Sequence, residues 1–328
     1  MTNYDLVAIG DTVVDAFIKL KDAEINCDLN KEQCKLCVAF GEKIPYESVT
    51  VVPAVGNSAN AAVSAARLGL ASALVSNVGQ DQNGELIIKT LQGEKVATDF
   101  VATNPGLPTN YHYVLSYEAE RTILIKHEVY PYNLSDIGEP KWLYLSSLGE
   151  TSTDFHTQIA TYLTAHTDVK LAFQPGTFQI KLGKEALAAL YKRTEVFICN
   201  KTEAEKILGV IGEIPELLTQ LAALGPKIVL ITDGPKGAYV LADNTKWFMP
   251  PYPDIAPPQE RTGAGDAYAS TFVSALALSK TVLEALMWAP INSMSVVQKI
   301  GAQAGLLTRQ ELEHYLVSAP ADYRPKQI

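Results

Sequence analysis

A glycine-rich hexamer near the C-terminal end carries the residues best suited to chemistry. It runs Arg261-Thr-Gly-Ala-Gly-Asp266, and an apolar helical stretch follows it directly. Gly263 and Gly265 let backbone N–H groups approach a ligand closely, and the start of a helix favours an anion such as phosphate. Asp266 stands in the same turn, where a carboxylate suits proton removal from a hydroxyl that attacks the phosphate. An ordinary loop that ends in an acidic helix start is the alternative, and the hexamer alone leaves both open.

The elements that must position this hexamer alternate along the chain. Short apolar runs predict strands at 4–10, 71–78, 142–145, 169–173, 196–199 and 227–232. Helical patterns predict helices at 57–70, 84–92, 154–165, 184–191, 202–208 and 215–224. Two extended runs, 110–117 and 121–127, have the spacing of a hairpin. Alternation of this kind predicts a mainly parallel sheet with helices on both faces, whose ligands lie beyond the carboxyl ends of the strands.

Polar residues that could bind a hydroxyl-rich acceptor follow the first strand and open the first helix. Asp11 and Asp15 lie at the end of a buried strand, where carboxylates suit hydrogen bonds to sugar hydroxyls. Gly56, Asn57 and Asn60 open helix 57–70, where the glycine permits close approach of a ligand. A solvated turn at the aspartates and simple helix capping by the amides are the alternatives.

Two later motifs could serve a nucleotide. Asn200 and Glu203 have the spacing of a helix capping box, and they would also suit Mg²⁺ held through water. Thr232, Gly234 and Gly237 belong to a tight turn between strands, which is either a plain hairpin or a place for the nucleotide.

Composition limits the classes of function. The chain has 328 residues, 47% hydrophobic and 19% charged, with a formal net charge of −9. No lysine- and arginine-rich run supports nucleic-acid binding, and no apolar run has membrane-spanning length. The N-terminus lacks the pattern of a signal peptide, so we expect a cytoplasmic protein without nucleic-acid or membrane partners.

Three of the four cysteines lie close together in the sequence. They are Cys27, Cys34 and Cys37, whereas Cys199 stands alone. A lone C-x-x-C lacks the further ligands of a structural zinc site, so ordinary reduced thiols are the favoured interpretation, with a metal site and a redox pair as alternatives.

The order of these motifs resembles that of the ribokinase-like (PfkB) family of sugar and nucleoside kinases. The Gly-Ala-Gly-Asp helix start is similar to the second signature of the family. Gly56 and Asn60 with residues 61–69, and then residues 78–84, are similar to its first signature. Residues 200–203 are similar to its N-x-x-E magnesium motif, and residues 232–237 to its nucleotide turn. The resemblance covers nearly the whole chain in the family order.

The resemblance implies a fold and a site. The fold would be a three-layer α/β/α domain over 1–328, with a central, mostly parallel sheet and a small β lid from segments 13–52 and 109–127. Asp266 would be the base, with an anion hole formed by the N–H groups of Gly263, Ala264 and Gly265. The remaining candidates are acceptor contacts at Asp11, Asp15, Gly56, Asn57, Asn60, Tyr111 and Tyr113, ATP contacts at Asn200, Thr232, Gly234, Gly237 and Asn292, and Glu203 for Mg²⁺ through water.

The chain departs from the family pattern at three places. Val55-Gly56 stands where Gly-Gly is usual, and Gln174 stands where an aspartate is common. Glu260-Arg261 replaces a frequent Asp-Thr, whose aspartate helps to hold a monovalent cation in some members, so a K⁺ requirement stays open. No particular substrate is therefore assigned from the motifs.

We expect an ATP- and Mg²⁺-dependent kinase that phosphorylates a primary hydroxyl of a small sugar. An adenosine or other nucleoside kinase is the alternative enzyme, in which Tyr111, Tyr113 and Phe40 would stack on the base. Filling of the inner face of the lid is the other interpretation of these three aromatic residues. A catalytically silent sugar- or nucleotide-binding regulator is the alternative outside enzymes. The resemblance also suggests a homodimer that forms through the β lid.

Overall fold

The computed structural model describes residues 3–27, 34–117 and 120–328. The strands, in chain order, are β1 (Leu6–Ile9), β2 (Val13–Leu20), β3 (Glu24–Asn26), β4 (Lys35–Cys37), β5 (Tyr46–Val55), β6 (Ser72–Gly79), β7 (Val101–Asn104), β8 (Tyr111–Tyr117), β9 (Glu120–Leu124), β10 (Trp142–Leu145), β11 (Lys170–Phe173), β12 (Thr194–Asn200), β13 (Ile228–Thr232), β14 (Ala238–Ala242), β15 (Thr245–Met249) and β16 (Lys326–Gln327). The helices are α1 (Asn57–Arg67), α2 (Gln82–Gly93), α3 (Thr153–Ala165), α4 (Thr177–Leu182), α5 (Ala188–Arg193), α6 (Lys201–Leu208), α7 (Ile214–Ala222), α8 (Ala264–Ala277), α9 (Val282–Val296) and α10 (Arg309–Val317).

A large sheet with helices on both faces forms the body of the protein. Its strand order is β16-β15-β14-β13-β12-β11-β10-β1-β6-β7, parallel from β13 to β7 and antiparallel from β13 to β16. In β1, Leu6 and Ala8 join one buried core, and Val7 and Ile9 join the other. Because alternate side chains point to opposite faces of a sheet, the uniformly apolar strand feeds both cores. The predicted three-layer architecture is confirmed.

A second, four-stranded sheet of order β5-β2-β8-β9 stands over the carboxyl ends of the main strands. We call it the lid. Its central pair, β2 and β8, is parallel, although the two strands come from separate parts of the chain. Asp15 pairs with His112, and Ala16 pairs with Tyr113, so those two pairs lie on opposite faces of the lid.

Some elements differ from the sequence prediction. The helix predicted at 184–191 begins later than expected, because residues 184–187 form a turn and α5 starts at Ala188. A separate helix, α4, precedes this region and ends before Gly183, which has a φ of +94°. Strand β15 and helix α10 were not among the predicted elements. The tip of the predicted hairpin between β8 and β9, residues 118–119, lies outside the described residues.

The prediction of four reduced thiols is wrong for one pair. Cys27 and Cys34 form a disulfide, because antiparallel pairing of β3 with β4 brings their Cα atoms to 4.0 Å. Cys37 and Cys199 are free thiols. The closed pair is therefore Cys27–Cys34 and not the C-x-x-C motif.

None of the helices in the described ranges combines the length and apolar character needed to span a bilayer.

Candidate active site

The N-terminal turn of α8 forms an open, anion-binding end. Gly263 precedes the helix with a φ of +80°, and a Cβ atom there would lie 2.3 Å from the Cβ of Ala302. A Cβ on Gly265 would meet nothing within 4 Å, so this glycine faces open space. The first N–H groups of a helix have no partner within it, although Ala264 N makes a long bond of 3.4 Å to Arg261 O. The free N–H groups and the helix dipole make this turn suitable for a phosphate.

Three side-chain amides surround the carboxylate of Asp266. Asn57 Nδ2 donates to Asp266 Oδ1 at 2.8 Å, and Asn60 Nδ2 donates to Oδ2 at 2.8 Å. Gln174 Nε2 donates to Oδ1 at 3.1 Å. The predicted acceptor residues Asn57 and Asn60 therefore hold the candidate base in this structure. We call these three amides the cradle.

Second partners fix the orientation of two cradle amides. Gln303 Nε2 donates to Asn60 Oδ1 at 2.9 Å and also to the carbonyl of Ala54 at 2.6 Å. Tyr144 OH donates to Gln174 Oε1. With their oxygens occupied, Asn60 and Gln174 must turn their NH₂ groups towards the carboxylate. Sequence reasoning missed Gln303 and Tyr144 as site residues, since neither stands in a motif.

The carboxylate of Asp266 is partly buried within the cradle. Removal from water raises the pKa of Asp266 above that of an ordinary aspartate, although the bonds from Asn60, Gln174 and Asn57 act in the opposite direction. Arg121 also lowers this pKa through its positive charge. A carboxylate with a raised pKa accepts a proton more readily than an exposed one.

The carboxylate of Asp11 belongs to a second cluster of polar side chains, which we call the Asp11 pocket. Tyr132 OH donates to it at 2.9 Å, and His127 Nδ1 lies 3.1 Å from its Oδ2. A Cβ on Gly56 would lie 2.6 Å from the backbone carbonyl oxygen of Asp11, so this glycine allows α1 to begin directly beside the main chain of Asp11. A carboxylate offers about four acceptor positions, so Asp11 retains capacity for a ligand hydroxyl. Neither His127 nor Tyr132 was a sequence candidate.

Polar atoms without partners line the lid side of this pocket. Asp15 Oδ1 lies 3.5 Å from His112 Nδ1, and the rings of His112 and His127 are 5.3 Å apart. Asp15 Oδ1, His112 Nε2 and Asn110 Nδ2 are buried and make no hydrogen bond. Buried polar groups are normally paired, so these three atoms are suited to a polar ligand.

Tyr111 and Tyr113 do not line this pocket. Their rings contact each other at 5.2 Å on one face of β8, and His112 occupies the opposite face. We therefore correct the predicted acceptor contact at these two positions. Because side chains alternate between the two faces of a strand, His112 faces the Asp11 pocket in place of the two tyrosines.

A groove of about 510 Å³ lies beyond the ends of β12 and β13. Asn200, Glu203, Thr232 and Gly234 line it together with flanking loop residues. The predicted capping box is present, because Asn200 N donates to Glu203 Oε2 at 2.9 Å and Glu203 N donates to Asn200 Oδ1 at 2.9 Å. Four of the predicted nucleotide and magnesium residues thus share one groove.

The other two predicted ATP residues serve packing. A Cβ on Gly237 would lie 2.5 Å from the carbonyl oxygen of Met249, which explains the glycine without a ligand. Asn292 is fully buried, and its amide donates to Thr271 Oγ1 at 2.8 Å and accepts from Leu307 N at 2.9 Å. We correct the prediction for Asn292, since its side chain ties α8 to α9 and has no free polar group for a nucleotide.

Glu203 is electrostatically coupled to the candidate base. Burial has the largest effect and raises the pKa of Glu203, the backbone hydrogen bond from Asn200 lowers it, and the charge of Asp266 raises it against that of Lys206. Two carboxylates that repel each other beside a phosphate groove are suited to a cation between them and the phosphates.

An anion-binding helix start beside a partly buried carboxylate is suited to phosphoryl transfer to a hydroxyl. The fold and the site therefore place the chain in the class of α/β kinases. The sequence profile of the pfkB family carbohydrate kinases matches residues 17–309. The ribokinase of Bacillus subtilis is 28% identical over 286 residues, which cover 84% of this chain and 92% of that protein. The fructokinase of Vibrio alginolyticus is 26% identical, with 85% of this chain and 96% of that protein covered.

Solved structures agree in fold. The ribokinase of Arabidopsis thaliana, determined with ribose and ATP, superposes with a TM-score of 0.80 at 21% identity and covers 96% of this chain and 99% of its own. The chain therefore belongs to the PfkB family of carbohydrate kinases, enzymes that phosphorylate sugars with ATP.

Proposed function

We propose that this sugar kinase transfers the γ-phosphoryl group of ATP to a primary hydroxyl of its acceptor, with Asp266 as the general base. The hydroxyl oxygen forms the new bond to phosphorus, the bond from phosphorus to the β-phosphate oxygen breaks, and the proton passes to Asp266. The N–H groups of Gly263, Ala264 and Gly265 would stabilise the negative charge of the transferring group. The cradle is the observation that carries this proposal, because it presents a shielded carboxylate beside an anion-binding turn.

The lining of the Asp11 pocket favours a sugar over a nucleoside as acceptor. Its unpartnered buried atoms on Asp15, Asn110 and His112 suit hydroxyl groups. Tyr111 and Tyr113 lie on the other face of β8, which removes the stacking argument for a base. Gly56 and Asn60 would act indirectly, through the positions of Asp11 and Asp266.

ATP would occupy the groove lined by Asn200, Thr232 and Gly234. Mg²⁺ fits this region, because Glu203 is a desolvated hard-oxygen donor whose pKa burial raises and whose repulsion by Asp266 a cation would relieve. Within the described ranges, no three carboxylates, imidazoles or thiols form a metal cage. Glu203 would therefore act on Mg²⁺ through water together with the phosphates, and the ion would neutralise phosphate charge.

We do not extend the proposal to K⁺. One oxygen of Glu260, Oε1, already accepts a hydrogen bond from Thr262 N at 2.7 Å and from the Thr262 hydroxyl, and it pairs with Arg121. These partners occupy the position where the family resemblance raised the question of a monovalent cation.

We also propose a cytoplasmic site of action, because the reaction consumes ATP.

The outer face of the lid supports a homodimer. Val51, Ala16, Tyr113 and Leu124 form a row across all four strands of the lid, and Tyr113 and Leu124 remain 48% and 52% exposed. Ala16 is buried, and the exposed apolar side chains of Val51, Tyr113 and Leu124 suit contact with a second copy of the chain. We expect Leu124→Glu to convert a dimer to a monomer in sedimentation velocity. A wild-type monomer at all concentrations would contradict the dimer.

The test of the function is a phosphorylation screen of free sugars, sugar phosphates and nucleosides with Mg²⁺-ATP. We expect turnover of a free sugar, and Asp266→Asn should lower its kcat by ~10²–10⁴ while nucleotide binding persists. Turnover of adenosine alone would overturn the sugar acceptor, and near-normal activity of Asp266→Asn would remove the base.

A further inference from the structure

Arg121 reaches from the lid towards the start of α8. It lies in β9 opposite Ser116 of β8, which puts it on the same face of the lid as His112. This face looks onto the body of the protein: Val52, which pairs with Asp15, lies next to Gly301. The position is therefore inside the cleft between the lid and the main sheet.

Arg121 contacts the segment that carries the anion hole. Its Nη1 lies 3.7 Å from Glu260 Oε1, and the two side chains are only 30% and 12% exposed. The same Glu260 oxygen accepts from the N–H of Thr262 at 2.7 Å, and Thr262 immediately precedes Gly263. The guanidinium thus stands beside the first turn of α8.

The pair retains unused hydrogen-bonding groups. Arg121 Nε and Glu260 Oε2 are both buried without a hydrogen-bond partner. At 3.7 Å the contact between Nη1 and Glu260 is an ion pair longer than a normal hydrogen bond. A guanidinium has five N–H donors in a planar fork that matches the oxygens of a phosphate, and here they are not satisfied by protein groups.

We propose that Arg121 is a further catalytic residue, whose guanidinium donates hydrogen bonds to the phosphoryl group that ATP transfers. The proposal rests on the kinase reaction proposed above. Arg121 would keep its ion pair with Glu260 while its unused donors bind the phosphoryl oxygens. A second positive contribution would then come from the lid, opposite the N–H groups of α8, so transfer would need the lid in place.

The charge of Arg121 also acts on the base. It lowers the pKa of Asp266, so the carboxylate remains ionised to lower pH when Arg121 is present. Loss of Arg121 should therefore weaken binding of the γ-phosphate. It should also shift the acid limb of the pH–activity profile, the range in which activity falls as pH falls, to higher pH. A residue with a purely structural role in the lid would produce neither change.

The test compares ATP and ADP affinities by calorimetry on the full chain, without acceptor. Arg121→Gln and Arg121→Met, the second of which keeps the aliphatic stem, should each weaken ATP binding about tenfold or more, the effect of one lost charge-assisted hydrogen bond. ADP binding should stay within about twofold. Lys126→Gln is the matched control, because it removes the same charge just after β9 from a side chain that is 72% exposed.

The outcomes separate this proposal from the proposed function. An unchanged ratio of ATP to ADP affinity in both Arg121 variants, or an equal change in Lys126→Gln, would overturn the role of Arg121 alone. Absence of ATP binding by the wild-type chain would overturn both. In the sugar-phosphorylation assay, the acid limb of Arg121→Gln should move to higher pH, and an unchanged limb would contradict the effect on Asp266.

Discussion

In the cradle around Asp266, replacement of Asn60 by aspartate exchanges one NH₂ group for an oxygen. The donor that now lies 2.8 Å from Asp266 Oδ2 becomes a second carboxylate oxygen. Gln303 can still donate to the other oxygen of the new side chain, so the packing is retained. Asn60→Asp therefore changes the charge beside the base with little change in shape.

The size of the effect follows from this geometry. Two carboxylates about 4 Å apart at an effective dielectric constant of about 20 repel by about 4 kcal/mol. This energy corresponds to about 3 pKa units, and the new carboxylate and Asp266 would relieve it by retaining one proton between them. Asn60→Ala removes the hydrogen bond to the charged group, about 1.5–3 kcal/mol, or about 1–2 pKa units, and it leaves Gln303 Nε2 with the carbonyl of Ala54 as acceptor.

The assay is the pH dependence of kcat/KM for the phosphorylated sugar. A base must be ionised, so activity falls as pH falls through its pKa, and a higher pKa moves this limb to higher pH. We expect the limb to rise in the order wild type, Asn60→Ala, Asn60→Asp, with activity recovered in alkaline buffer. Asn104→Asp is the control, because Asn104 is a buried amide that bonds to Asn77, Val78 and Ala102 instead of Asp266. A folded Asn60→Asp enzyme with the wild-type limb would refute the assignment of Asp266 as base.

Two further substitutions test the anion hole and the magnesium residue. Gly263→Ala should lower the free energy of unfolding in urea by about 1–3 kcal/mol, because the φ of Gly263 is +80° and a Cβ atom would meet Ala302. Gly265 faces open space, so Gly265→Ala should change the free energy of unfolding by less than about 0.5 kcal/mol. Equal effects of the two substitutions would contradict the close packing at Gly263. Glu203→Gln should need more Mg²⁺ for half-maximal activity without loss of thermal stability at pH 7. The amide can still accept a hydrogen bond from Asn200 N, and burial, which raises the pKa of Glu203, makes the ionised form of the native residue unfavourable. A lower Tm with an unchanged magnesium titration would leave capping as the only role of Glu203.

Motif spacing was a good guide to the backbone of the site. The glycines of α8, the carboxylate of Asp266 and the capping box of Asn200 and Glu203 depend on local order, and they lie where the pattern suggested. Local order decides helix starts and turns, so a short sequence window contains most of the information. The parallel sheet followed from alternation for the same reason.

Side-chain partners were harder to predict, because they depend on packing between distant segments. Asn60 and Asn57 were expected to bind the acceptor, yet their NH₂ groups face Asp266, more than 200 residues away. No periodicity indicates that Gln303 fixes Asn60 or that Tyr132 contacts Asp11. Strand alternation could have shown which residues of β8 share a face of the lid with Asp15. That step required the parallel pairing of β2 with β8, which only the structure gives.

The order of residues in the cleft has a consequence for biosynthesis. Asp11, His112, His127 and Tyr132, which belong to the proposed acceptor pocket, all lie in the first half of the chain, whereas the proposed base Asp266 and its neighbour Gln303 come near its end. Because the ribosome makes the chain from its N-terminus, a nascent chain holds every side chain of the acceptor pocket long before it holds the base. The hydrogen bonds of the cradle then join segments separated by 92 to 209 positions. If Asp266 is the base, as proposed, phosphoryl transfer needs the chain through residue 266, although the proposed acceptor residues are made much earlier.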